Sequence, residues 1–491
     1  MRRSAERETQ VSNPLPPLLT ERLRELRERP VEPVEKGFGP RAGAGLDTAD
    51  LGTADLNTAG LGTAADLGTA DLDTVGLSAA RLAAARPLLH RAGFTYPLLI
   101  LRETALAGNL EAMAAYCARA GVALAPHGKT AMSPELAARQ LSLGAWGITV
   151  ATIGQLRTYR VFGFPRLLLA NELVDEAGIA WLAAELAADP GFEAYCYVDS
   201  PEGVAILDQV LTRRPAGRRL PVLVEIGHAG GRTGCRTDAY ALSVARAAAA
   251  TGTLRLAGVA GYEGSIGAGS QAQMLAEATS FCRRLRTLAG QLRGELGSGQ
   301  LAEGGEEFIV TAGGSAFFDV VVRELTTGDT TPRTSGTPST GVHGITVMLR
   351  SGAYLAHDHG YYGTVSPVSR GSADAPVLRP ALELWAQVLS RPEADLALLG
   401  AGRRDAGFDQ GLPVPLRAVR RGGKGADLSQ SRLTELNDQH AYLRLNPGTE
   451  LAPGDLVCLG ISHPCTTFDK WRVIPVVNDD DRVTDMVHAF F

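Results

Sequence analysis

Lysine is scarce in this sequence, and one of the few lysines stands where a reactive amine would be useful. Of 48 basic residues four are lysines, Lys36, Lys129, Lys424 and Lys470, and the other 44 are arginines. A guanidinium stays protonated and cannot form a Schiff base, whereas an amine can once burial or nearby charge lowers its pKa. Lys129 lies in His127-Gly128-Lys129-Thr130, directly after the apolar run 122–126. A partly neutral, nucleophilic amine beside an imidazole is one reading, and a surface lysine in a loop is the other. A second constellation is Gly313-Gly314-Ser315, after the run Phe308–Ala312 and before a helical pattern. Glycine N–H groups, a serine hydroxyl and a helix N-terminus suit a phosphate, and a tight turn would need the same glycines. A third is Ser462-His463-Pro464-Cys465. In an extended chain, His-x-Cys puts an imidazole and a thiolate on one face, a donor pair suited to zinc; a buried structural pair is the alternative. His357-Asp358-His359 competes as a metal motif and ranks second, because Asp358 can instead serve at the end of a strand. Arg232, Tyr262 and Tyr354 also follow strand-like runs, where they can meet a ligand or simply be solvated or packed.

The elements around these residues say where they must gather. From residue 93 on, apolar runs of strand length alternate with amphipathic helical stretches. Strands are expected at 95–102, 122–126, 146–151, 166–170, 194–199, 221–226, 255–261, 308–312 and 346–349. Continuous apolar strands separated by helices mean a parallel sheet covered on both faces. About eight such units fit an α/β fold of the closed (β/α)8, TIM-barrel type. Reactive groups of such a barrel sit at the C-terminal ends of its strands, which puts Lys129, Arg232, Tyr262 and the glycine loop on one rim. A Schiff-base lysine and a phosphate cradle on one rim point to pyridoxal 5'-phosphate. Arg232 would then face the pyridine nitrogen and keep it unprotonated. The expected organisation is an N-terminal extension at 1–92, a barrel at 93–370 and a C-terminal β-domain at 371–491 carrying the His-x-Cys pair. The extension reads as poorly ordered. It holds a Pro/Gly-rich stretch at 30–45 and a five-residue repeat from Leu46 to Leu77, with a short charged helix expected at 21–29.

Composition removes several classes of function. A net charge of -5 leaves no basic field for nucleic acid. No apolar run reaches the length of a membrane span, and the polar stretch after Arg2-Arg3 does not read as a secretory signal. Six cysteines without a CxxC argue for a cytoplasmic location and against a disulfide scaffold.

The order and spacing of several segments carry a resemblance. Pro126-His127-Gly128-Lys129-Thr130, Ser133-Pro134-Glu135-Leu136-Ala137, Gly147-Ile148-Thr149-Val150-Ala151-Thr152 and Leu169-Ala170-Asn171-Glu172-Leu173-Val174 resemble the D-threonine aldolase/D-serine dehydratase family, relatives of alanine racemase. The stretch from His463 to Trp471 is most similar to the amino acid deaminase branch. The resemblance implies a barrel plus β-domain, pyridoxal phosphate on Lys129, and Gly313, Gly314 and Ser315 at its phosphate. It places Arg232 near the cofactor's pyridine nitrogen and zinc or another divalent metal on His463 and Cys465; His127 and Tyr262, by their positions after strands, are read as cofactor contacts. Lys129 on the resemblance, and Tyr262 and Tyr354 from their positions at strand ends, are the catalytic candidates. The dehydratase branch has His-x-Cys and the aldolase branch His-x-Asp. The implied activity is therefore elimination from a D-β-hydroxy amino acid to a keto acid and ammonia, by a homodimer. Retro-aldol cleavage, racemisation and a non-catalytic pyridoxal-phosphate-binding role are the alternatives. The sequence departs from the family where Ala131 replaces a histidine, where Asn437-Asp438-Gln439-His440 replaces a Glu-x-His-like element, and in its N-terminal extension.

Overall fold

The computed structural model describes residues 13–32, 35–38, 76–90, 93–266, 269–301, 308–327, 345–420 and 425–491, with only the backbone at 295–301. Most of the Pro/Gly-rich stretch and all of the repeat but its last two residues lie outside the described residues.

Eight parallel strands form the barrel, in chain order Ala123–Leu124, Ile148–Val150, Arg166–Glu172, Glu193–Val198, Leu220–Ile226, Leu254–Gly261, Phe308–Ala312 and Ile345–Leu349. The first strand pairs with the eighth. Backbone bonds Trp146 N to Leu124 O (2.7 Å) and Thr149 N to Pro126 O (2.9 Å) join the first strand to the second. Both strand faces are buried, which explains the unbroken apolar runs. In the third strand Leu167 and Leu169 join the core under the helices, while Leu168 points into the barrel with Tyr197, Leu223 and Ile309. The helices start where the sequence supplies caps: Ser133, Thr152, Asp175, Ser200 and Thr237 each accept a backbone N–H of the first turn.

The strand expected at 95–102 exists as Leu98–Arg102, but it is not a barrel strand. It pairs antiparallel with Leu382–Glu393 and parallel with Val473–Val477, at the centre of a second sheet that also holds Leu456–Gly460, Val414–Val419 and Val483–His488. Periodicity identifies a strand but not its partners, so the chain starts in the second sheet, builds the barrel, and returns. The described parts of the N-terminal region are packed as well. The charged helix is Pro17–Arg27, with Leu19 fully buried and Arg27 paired to Asp485 at 2.9 Å. The helix Ala79–Ala85 puts Leu82 into a core with Val483 and Trp385. No helix among the described residues is long and apolar enough to cross a membrane.

One ion cluster ties the central strands of the second sheet together. Glu383 takes Arg102 at 2.7 Å and Arg417 at 2.8 Å. Burial opposes its charge, but hydrogen bonds from the two guanidinium groups outweigh this and bring its pKa down to about 2. The folded value is depressed, so the stabilisation is complete above the ordinary carboxylate range and is lost as pH falls toward 2. Glu383→Gln is expected to cost about 3 kcal/mol at neutral pH, read by urea denaturation, with the difference from the parent shrinking below pH 4.

Candidate active site

A cavity of about 460 Å³ opens at the C-terminal ends of the barrel strands, and Lys129 is in its wall. The first strand ends in a tight turn, Gly128–Thr130. Tyr159, fully buried, donates its hydroxyl to Gly128 O at 3.0 Å. A Cβ on residue 128 would lie 2.6 Å from that hydroxyl, so glycine is required for the turn that presents Lys129. Burial lowers the Lys129 pKa; Cys465 opposes the shift, and Arg232 and Arg350 add to it. His127, next to it, is held well below the usual histidine range by burial and by Lys129, Arg350 and Arg232. Its Nδ1 is buried without a hydrogen-bond partner. A neutral imidazole and a depressed amine on one turn can serve nucleophilic and proton-transfer chemistry.

The glycine loop also lines the cavity, with a difference from the expected arrangement. Gly313 has φ +100°, and a Cβ there would lie 2.7 Å from Leu349. The N–H groups of Gly313 and Gly314 are already engaged. They donate to the carboxylate of Glu263 at 2.9 and 2.6 Å, and Glu263 is fully buried. Ser351 donates to the carbonyls of the same two glycines at 3.0 and 3.2 Å. From this loop an anion is left the hydroxyl of Ser315, with the Gly352–Ala353 turn beside it in the wall. Glu263 directly follows Tyr262 in sequence, but nothing in local spacing says that it reaches a loop fifty residues on. Glu263→Ala leaves two amides unpaired, and is expected to lower stability by about 2–4 kcal/mol, read as a lower denaturation midpoint.

Arg232 and Tyr262 both face the cavity. The Arg232 guanidinium lies 4.9 Å from the centre of the Tyr262 ring, and burial pushes the Tyr262 hydroxyl up to about 12. Tyr354 does not reach the cavity. It is 2% exposed and its hydroxyl accepts the Gln140 amide at 2.9 Å, so it is a core residue whose polar tip is satisfied inside the barrel wall. Arg350, which the sequence reading passed over, lines the cavity instead. It is 7% exposed and donates to Thr311 Oγ1 at 3.0 Å and to Gly261 O. Its signal was available: a charged residue directly ends the apolar run 346–349.

His463 and Cys465, from the segment after the strand Leu456–Gly460, stand in the same cavity wall, with Cys465 against the lysine turn. The segment is not extended: Cys465–Phe468 is one helical turn. The two side chains nevertheless meet. Burial works against a charge on His463, but its hydrogen bond to Cys465 and the neighbouring Asp409 push its pKa up to about 9. Asp409 holds His463 Nδ1 at 2.7 Å, and Cys465 Sγ donates to Thr130 Oγ1 at 3.5 Å, one residue from Lys129. The competing motif is spent elsewhere. His357 Nδ1 bonds the carbonyl of Asp358, and Asp358 Oδ1 accepts the N–H groups of Gly360 and Gly363. None of these three residues lines the cavity. Among the described residues, the one group of three or more metal-type ligand atoms within 4.8 Å of each other is Glu172, Asp199 and Glu225. Burial and the Glu225 charge push Glu172 up to about 9, while Asp199 accepts Gly234 N at 2.9 Å beside the Arg232 loop.

The chain is similar to known proteins along most of its length. Residues 76–302 match the alanine racemase N-terminal domain, and residues 381–477 match a putative serine dehydratase domain. A D-threonine aldolase of Arthrobacter sp is 29% identical over 388 residues, which is 78% of this chain and 89% of that protein. Among solved structures, the D-threonine aldolase from Filomicrobium marinum superposes with a TM-score of 0.64 at 23% identity, covering 81% of this chain and 95% of that one. The D-threo-3-hydroxyaspartate dehydratase from Delftia sp. HT23 superposes with a TM-score of 0.60 at 20% identity, over 81% and 97% of the two chains. The barrel with its joined antiparallel sheet is the alanine-racemase-like fold that the sequence implied. The chain thus carries a match to the alanine racemase N-terminal domain followed by a match to a serine dehydratase domain, and along most of its length it is similar to D-threonine aldolase.

Proposed function

We propose that the protein is a pyridoxal-phosphate- and zinc-dependent lyase that eliminates water from a D-β-hydroxy amino acid, giving a keto acid and ammonia. The observation that carries this reading is the meeting of Lys129 and the His463–Cys465 pair across one cavity, joined through the Cys465–Thr130 contact. The residues fit both groups. A buried amine of lowered pKa, an unpartnered His127 Nδ1 and the Ser315 hydroxyl surround a cavity large enough for a heteroaromatic phosphate. An imidazole whose Nδ1 is already held, beside a thiol, is a zinc-type donor set. When bound, pyridoxal phosphate supplies an electron sink for the substrate's α-carbon, and zinc on His463 and Cys465 supplies a Lewis acid for its β-hydroxyl.

The chain's own residues do the rest. Lys129 Nζ, depressed by burial, takes the α-proton. Neutral His127 offers an uncharged face beside it, so the site does not gain a further fixed positive charge. Arg232, over Tyr262, and buried Arg350 supply the positive field that favours a substrate carboxylate and a phosphate. A homodimer in a reducing compartment belongs to the same proposal, resting on the resemblance and on six free thiols.

A second reading is retro-aldol cleavage to glycine and an aldehyde, favoured by the likeness to the Arthrobacter aldolase. Products separate the two. A panel of D-β-hydroxy amino acids, incubated with the protein, zinc and pyridoxal phosphate, is expected to release ammonia and a keto acid. Release of glycine and aldehyde from the same panel would replace elimination by the second reading.

A further inference from the structure

We propose that Lys36, from the segment ahead of the barrel, is a positioning residue for the His463–Cys465 pair: it clamps the loop 402–411, whose Asp409 fixes the ring of His463. The inference rests on the reading of that pair as a metal site.

The contacts run in one direct line. Lys36 Nζ donates to Arg404 O at 2.6 Å and to Asp405 Oδ1 at 3.0 Å, and sits 5.0 Å from the centre of the Trp471 ring. Asp405 is 3% exposed and is the hub of the loop. Its Oδ2 accepts Gly402 N and its carbonyl accepts Trp471 Nε1, both at 2.9 Å. Four residues on, Asp409 Oδ2 meets His463 Nδ1 at 2.7 Å, and Oδ1 accepts the Thr466 hydroxyl at 2.6 Å. Between these points Gly407 N donates to Thr467 Oγ1 at 2.9 Å. The loop is thus stapled to Lys36 at one end and to the candidate ligand segment at the other.

Asp409 is itself 44% exposed, so burial does not hold it in place. Its position follows from the loop, which Arg403 N and Arg404 N tie to Asn437 O and Asp438 O at 2.9 and 3.2 Å, Ser462 Oγ ties at Gly407 O, and Lys36 fixes at Asp405. With Nδ1 held by a carboxylate, the ring of His463 is oriented and Nε2 is left as the ligand nitrogen, the usual arrangement of a metal-binding histidine with its supporting carboxylate. The residue type at 36 fits this role. A compact ammonium can donate at once to a carbonyl and a carboxylate while resting on an indole face, whereas a guanidinium sends its donors out in one plane. In a sequence with 44 arginines among 48 basic residues, lysine at this point is the exception.

The test measures zinc affinity of the full-length protein by competition with a chromogenic chelator, and cofactor binding by visible absorbance. Asp409→Asn is expected to weaken zinc binding by about 10–100-fold, and Lys36→Ala by about 10-fold. The absorbance of lysine-bound pyridoxal phosphate stays unchanged in both, which a general loss of folding would not allow. The double variant binds zinc no more weakly than Asp409→Asn alone, because the two act in series. Should Lys36→Ala not fold, Lys36→Gln is judged by the same criteria. Zinc affinity of the Lys36 variant equal to wild type, or losses that add in the double variant, overturns the clamp. If His463→Ala and Cys465→Ala also bind zinc as wild type does, the metal-site reading itself has failed and takes the clamp with it.

Discussion

Lys129→Ala is expected to abolish the visible absorbance of lysine-bound pyridoxal phosphate and to cut turnover by about 10³- to 10⁴-fold, the contribution of a positioned base with its covalent anchor. Lys129→Arg is expected to fail to the same degree. It preserves charge and length but cannot offer a neutral amine, so it separates chemistry from electrostatics. Borohydride reduction followed by peptide mass analysis reads the same point directly: the wild-type peptide containing Lys129 gains the mass of the reduced cofactor, and the variant peptides do not. The pH dependence has a definite sign. Burial lowers the Lys129 pKa, so cofactor loading of the apo-protein rises with pH and levels off below the ordinary lysine value of 10.5. Loading that follows an unshifted lysine, or a variant that still carries bound cofactor, would show that the turn Gly128–Thr130 presents an ordinary surface amine.

Cys465→Ala and chelation are expected to have the second-largest effect. Each should lower elimination by about 10²- to 10³-fold, the worth of a Lewis acid at a leaving hydroxyl, and leave cofactor absorbance in place. Added zinc should rescue the chelated wild type and not the variant. His463→Ala should match Cys465→Ala, and the double variant should be no worse than either, since one lost site cannot be lost twice. Chelated protein turning over at the full rate would remove the metal from the reaction and leave His463 and Cys465 as a structural contact of the second domain with Thr130.

The fold was legible because its signals are local. Unbroken apolar runs such as 167–169 follow from burial on both faces, and Ser133-Pro134 and Ser200-Pro201 carry the serine cap and first-turn proline with which two of the helices begin. The candidate lysine was legible for a different reason. In a sequence that replaces lysine almost everywhere, a retained lysine after a barrel strand stands out, and the family likeness of its neighbours reinforces it. The spacing of His463 and Cys465 was enough to name the pair, although the local backbone proved to be a helical turn rather than an extended strand.

What sequence position left open was every relation between distant residues. Tyr354 and Arg350 stand four residues apart after the eighth strand. One is sealed against Gln140 and the other lines the cavity, a difference set by which way the chain turns at Gly352 and Ala353. Glu263 takes the amides expected to hold a phosphate, across a separation of fifty residues. Leu98–Arg102 looks like any other barrel strand, and only its partners place it in the second sheet. Residue types and their periods therefore determined the elements and singled out the candidate amine and the candidate donor pair. Tertiary structure decided which faces met, because hydrogen bonds and burial across long separations depend on how elements pack rather than on the composition of any one of them.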